Sequence, residues 1–98
     1  MQKIINGKFY DTETAEKIAE ICVSYDYDSY FLWEKVYRKK NGEFFIYREM
    51  RGDESGISLY YWVINHQLEP LSNDEAKSWI ESNASVETYI SLFGKPEE

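Results

Sequence analysis

The tightest constraint on this chain is the tetrapeptide Lys40-Asn41-Gly42-Glu43, set between two runs rich in β-formers, Phe31 to Lys39 and Phe44 to Met50. Asn and Gly tolerate the positive φ that a tight reversal needs, so Asn-Gly between such runs specifies a β-hairpin. Two registers are open to it. A two-residue type I′ turn would set Glu34 opposite Glu49 and Lys35 opposite Arg48, both like-charge pairs. A type I turn over Lys40-Asn41, with Gly42 in a G1 bulge, shifts the pairing by one. Glu34 then faces Arg48, Val36 faces Ile46, Leu32 faces Met50, Tyr37 faces Phe45, and Glu43 sits opposite Lys39. Each cross-strand pair is worth only ~0.2–1 kcal/mol, but all of them favour the bulged register.

That register sorts the side chains by alternation. Leu32, Val36, Phe44, Ile46 and Met50 share one face, expected to be core. Trp33, Lys35, Tyr37, Lys39, Phe45, Tyr47 and Glu49 share the other. A third strand is expected from Ile57 to about His66, with Ile57, Leu59, Tyr61 and Val63 on the core side and Tyr60, Trp62 and His66 on the aromatic side. Lys3 to Tyr10 reads as a short strand pair or an extended entry bent at Asn6-Gly7.

Helices are expected at both ends. Asp11 or Thr12 can cap a helix in which Ala15, Ile18, Ala19 and Cys22 fall at i, i+3, i+4 and i+7, running to about Val23. Ser72 with Glu75 forms a capping box, and Leu71 can staple against Ala76 ahead of an Ala76, Trp79, Ile80 stripe. Ser85 opens a last short helix carrying Val86, Tyr89, Ile90 and Phe93, closed by Gly94. The expected fold is one α+β domain over residues 1–98. A three- to four-stranded antiparallel sheet carries one N-terminal helix and two short C-terminal helices on its apolar face.

Charge and composition exclude several functions. The formal net charge is −7, yet residues 31–50 hold five bases against Glu34, Glu43 and Glu49, so the hairpin is locally basic inside an acidic chain. Overall acidity disfavours non-specific binding to nucleic acid or anionic membrane and suits docking on a basic protein surface. No apolar run approaches the ~20 residues of a membrane span, and no apolar secretion-signal core follows Met1. Cys22 is the single cysteine, which fits a reducing cytoplasm, and its helical position among apolar neighbours reads as buried.

Catalytic chemistry finds little to use. His66 is the sole histidine, and one Cys with one His falls short of a zinc site. The acids at Asp26, Asp28, Asp53 and Glu54 lack the spacing of a calcium loop. No phosphate-cradling glycine loop is present. The reading is a non-enzyme without metal or cofactor. Seventeen aromatic residues, by contrast, exceed what one small core can absorb. Trp33, Tyr37, Phe45, Tyr47, Tyr60 and Trp62 could form a contact platform, unless the N-terminal strand, a helix or a second copy in a homodimer covers that face.

The segments Ile5 to Ala15, Val36 to Phe45, Pro70 to Trp79 and Tyr89 to Gly94 resemble a family of small proteins carried by phages, plasmids and integrative elements of Gram-positive bacteria. The chain departs from that family between Met50 and Leu68, where the family has a glycine-rich stretch. The resemblance implies no catalytic residues. Its mobile-element setting, with the small size and acidity, is similar to that of anti-CRISPR and other counter-defence proteins. The expectation is therefore a non-catalytic inhibitor of a host nucleic-acid-handling protein such as a CRISPR nuclease. Glu13, Glu16, Glu20, Asp74, Glu75, Glu81 and Glu87 would occupy a basic channel, with the aromatic face as anchor. The alternatives are a nucleic-acid-binding module using the basic hairpin and a self-associating accessory protein of the element.

Overall fold

The computed structural model describes residues 1–25, 30–52 and 62–98. The central hairpin joins β4 (Tyr30–Arg38) to β5 (Phe44–Gly52). It adopts the bulged register, pairing Glu34 with Arg48, Val36 with Ile46, Leu32 with Met50 and Tyr37 with Phe45. The Gly42 N–H donates to Lys39 O (2.9 Å) and the Lys39 N–H to Glu43 O (2.8 Å), with Gly42 at φ 93°. A Cβ at Gly42 would meet nothing within 4 Å, so a Gly42→Ala change costs backbone strain alone. We expect a loss of about 1–2 kcal/mol in urea denaturation with no change in the slope of the transition.

The N-terminal residues form a second hairpin, β1 (Gln2–Ile5) and β2 (Lys8–Asp11), turned by Asn6 (φ 52°) and Gly7 (φ 76°). Both central residues have the positive φ of a type I′ turn. The expected N-terminal helix does not form. Residues Glu16–Tyr25 are instead a strand, β3, paired antiparallel with β4. With β6 (Trp62–Leu71) beyond β5, the main sheet is a four-stranded meander in the order β3-β4-β5-β6. Over the described residues the molecule is thus mostly β, with six strands in two antiparallel sheets and two short C-terminal helices.

The reason lies in a bulge. Lys17 pairs with Tyr37 and Ala19 with Val36, which leaves Ile18 as an extra residue in β3. Bulging turns Ile18 and Ala19 to the same core, and that produces an apolar spacing that imitates a helix. Ala15 packs on the opposite side of the sheet and Cys22 is exposed, so the four residues share no face. Asp11 does act as a cap-like acceptor. Its carboxylate takes the Glu13 N–H (2.9 Å) in an Asx turn that leads into β3 instead of a helix.

The strand expected from Ile57 to about His66 is β6 over the described residues, and it runs on to Leu71. It carries a register shift opposite Met50/Arg51, with Ile64 as its extra residue, and Pro70 sits on this edge strand, where a missing N–H is tolerated. The expected core positions Ile57, Leu59 and Tyr61 lie outside the described residues.

Two cores flank the sheet. On one face Val36, Phe44 and Ile46 pack against Ala76 and Ile80 of α1 (Asn73–Asn83), with Tyr89, Leu92 and Phe93 of α2 (Val86–Phe93) around them. The capping box is in place: Ser72 Oγ accepts the Glu75 N–H (3.1 Å) and Glu75 Oε1 accepts the Ser72 N–H (2.9 Å). That backbone bond holds the Glu75 carboxyl below the usual range. Across the same face Arg48 bridges Glu34 (2.7 Å) and Glu69 (3.3 Å), and Trp79 Nε1–H donates to Glu34 Oε1 (3.4 Å), tying α1 to the sheet.

On the other face Phe45 stacks on Tyr37 (5.1 Å, 9°) and receives Tyr10 edge-on (5.5 Å, 78°), with Leu68 completing the cluster. The β1–β2 hairpin therefore covers the half of this face nearest the Gly42 turn. An ion pair from Lys8 to Glu43 (2.9 Å) fastens it there.

Candidate binding surfaces

The structure divides the expected aromatic platform. Phe45 and Tyr37 are buried beneath Tyr10 and serve as core, a correction to their reading as contact residues. The cause is the covering hairpin, which seals apolar area that would otherwise face water. Tyr60 lies outside the described residues, and Trp62 opens β6 opposite Gly52. Trp33 and Tyr47 remain half-buried on the open half of the face.

Here one row crosses all four strands as Cys22, Trp33, Glu49 and His66. The Trp33 ring has Lys35 Nζ at 5.9 Å and the Arg51 guanidinium at 5.8 Å. Glu49 accepts the Tyr47 hydroxyl (2.7 Å) and Arg51 Nε–H (2.9 Å). Burial pushes the Glu49 carboxyl up, but these two donors outweigh it and hold the acid below its ordinary value. Burial, with the bond to Glu49, pushes the Tyr47 phenol well up. On this half-face the Tyr47–Glu49–Arg51 network lies beside an indole, with Glu49 matched by Arg51, and Lys35 over the ring.

The basic hairpin is neutralised in part from within. Lys8 and Lys39 pair with Glu43 (2.9 and 3.7 Å), Arg38 with Glu16 (3.3 Å) and Lys17 with Glu20 (3.0 Å). Lys39 Nζ also lies 4.2 Å from the Tyr10 ring centroid. Among the described residues, the hairpin bases Lys35 and Lys40 form no ion pair.

The acids separate into two groups. Glu13, Glu16 and Glu20 were expected on one helix, but Glu13 lies in the Asp11 turn, while Glu16 and Glu20 are spent on Arg38 and Lys17. They form no common surface, because the strand sends Glu16 to the helix side of the sheet and Glu20 to the other. Asp74, Glu75, Glu81 and Glu87 do share the helical layer, all four exposed. Glu75 is engaged in the cap, whereas Asp74, Glu81 and Glu87 form no ion pair among the described residues. Lys77 is the single base within the two helices.

Beside these acids lies a feature that periodicity did not reveal. A groove of about 220 Å³ runs between α1, α2 and the tail, lined by Ile80, Ala84, Val86, Tyr89, Ile90 and Pro96, with Glu81 on its wall. Val86 is 71% exposed and Ile90 38%, one turn apart on the outer side of α2. The signal was available in composition. Five of the eight α2 residues are Val, Tyr, Ile, Leu and Phe, more than the inward side of a two-turn helix can hide.

Among the described residues no group of three or more His, Cys, Asp or Glu could hold a metal ion, and no helix is long and apolar enough to cross a membrane. Comparison with protein-family models, curated proteins and solved structures returned no match.

Proposed function

We propose that this chain is a non-catalytic binding protein of a mobile element. In this reading it acts in the cytoplasm and docks through its helical layer on a basic surface of a host nucleic-acid-handling protein such as a CRISPR nuclease. The observation that carries the reading is the asymmetry of charge matching. Three of the five hairpin bases, Arg38, Lys39 and Arg48, are ion-paired within the molecule, whereas among the described residues Asp74, Glu81 and Glu87 form no ion pair, and Glu81 stands on the wall of an apolar groove. An apolar centre with a charged rim is the usual anatomy of a protein interface. Unmatched acids complement a partner shaped to hold phosphate, and they disfavour direct contact with phosphate itself.

Affinity capture from a nuclease-treated host extract tests this. The wild-type chain should retain a protein partner after nuclease treatment. The double change Glu81→Lys with Glu87→Lys should weaken retention at least ~10-fold, largely through the association rate and its salt dependence. Lys40→Glu should leave retention unaltered. A partner lost on nuclease treatment, or lost with Lys40→Glu alone, would instead establish the hairpin as a nucleic-acid-binding element.

A further inference from the structure

The two edges of the main sheet are unequally defended. On β6, Pro70 removes an N–H and Glu69 adds charge, the usual means of blocking strand addition. On β3 the bulge at Ile18 protects only the first third of the strand. Beyond it, the backbone from Ala19 to Tyr25 has neither a proline nor a bulge, and one charged residue, Glu20. Among the described residues no strand pairs with its outer side. Val23 is 41% exposed and Cys22 is exposed on this same stretch.

The geometry points to β3 as a homodimer interface, two copies joining edge to edge antiparallel into a continuous eight-stranded sheet. The occupant follows from symmetry. Two antiparallel copies related by a two-fold axis must pair residues of the same face, so the ladder centres on a residue instead of between two. Centring on Cys22 fits the whole stretch between the bulge and Tyr25. It sets Ile21 against Val23 of the second copy, and Val23 against Ile21, on the helix side. On the other side Cys22 meets Cys22, and Glu20 meets Ser24. No like charges are opposed, and the exposed valine gains a β-branched partner on each copy. Centring on Val23 would instead carry the ladder past Tyr25, the last residue of β3.

Light scattering on the eluting peak should give twice the 11.7 kDa mass of the chain. Diamide should then join the two Cys22 thiols, which lose two protons and two electrons to the reagent as the S–S bond forms. Directly opposed residues in a ladder lie within disulfide reach. Val23→Lys, placed at an already exposed position, should return a folded monomer with an unaltered far-UV circular dichroism spectrum and slow crosslinking at least ~10-fold. Cys22→Ser should remain dimeric, separating the interface from the thiol. A monomer throughout the accessible concentration range overturns the proposal. So does a dimer indifferent to Val23→Lys, or one whose thiols crosslink no faster than those of that variant. Because Val23→Lys leaves Glu81 and Glu87 in place, partner capture and dimer mass are read separately.

Discussion

Replacing Phe45 by Ala should remove about 3–5 kcal/mol of stability, the usual cost of emptying a fully buried phenylalanine site. Phe45 is 0% exposed and is the ring on which both Tyr37 and Tyr10 rest. Its loss therefore opens a cavity and removes two aromatic contacts, each worth roughly 0.5–1.5 kcal/mol beyond area burial. Domains of this size hold only about 5–15 kcal/mol in total, so the midpoint in urea should fall steeply. The loss also has an address. Tyr10 is the buried residue by which β1–β2 lies on the sheet, so amides of Gln2–Asp11 should lose hydrogen-exchange protection before those of β4 and β5. Ile4→Ala, on the exposed outer side of the same hairpin, should stay within about 0.5 kcal/mol of wild type. A Phe45→Ala loss no larger than that of Ile4→Ala would show that the hairpin is held by its Lys8–Glu43 ion pair and not by the aromatic stack.

The same stack explains where sequence reasoning succeeded and where it stopped. The turn chemistry of Asn41-Gly42 and the charges of Glu34 and Arg48 act locally between adjacent strands, so they were enough to place every pair of the central hairpin. The capping box of α1, the Ser85 cap of α2 and their apolar stripes are local too, and Ser72, Glu75 and Ser85 are where their chemistry demands. The segment from Ala15 to Cys22 was misread because a bulge converts a period of two into an apparent period near 3.6. The β-branched residues Ile18, Ile21 and Val23 were the competing signal, and pairing with β4 decided in their favour. Even the Lys17–Glu20 ion pair, spaced like helix neighbours, arises because the bulge puts both on one side of a strand.

The candidate site was legible only in part, for a different reason. Alternation assigned Tyr37 and Phe45 to the correct face, but which half of that face meets water depends on a hairpin arriving from more than thirty residues away. Likewise, composition alone placed Asp74, Glu81 and Glu87 on helices. That among the described residues they form no ion pair, while Arg38, Lys39 and Arg48 do, is a property of the assembled surface.

The helical layer depends on few anchors, and that sets the second large effect. Ile80→Ala should cost about 2–5 kcal/mol, since Ile80 is 0% exposed among Val36, Phe44, Ile46 and Ala76. Only Ala76 and Ile80 are buried in α1, and α2 contributes no fully buried residue, so no second large side chain compensates. Partly buried side chains add weaker ties, among them Trp79 to Glu34 at 3.4 Å, Phe93 against Phe44 at 5.9 Å between ring centroids, and Tyr89 and Leu92 at the edge of the cluster. Weakening the layer should let α1 and α2 detach before the sheet unfolds. The urea slope of the main transition should then fall, because surface released beforehand no longer contributes to it. Far-UV circular dichroism should show helical signal lost ahead of strand signal. Because Ile80 also lines the groove beside Glu81, partner capture should weaken at urea concentrations where the sheet is still intact. A cost in this range with an unchanged slope would mean that helices and sheet unfold as one unit, with the Glu34–Arg48–Glu69 bridge and Trp79 binding the layers more firmly than apolar packing alone.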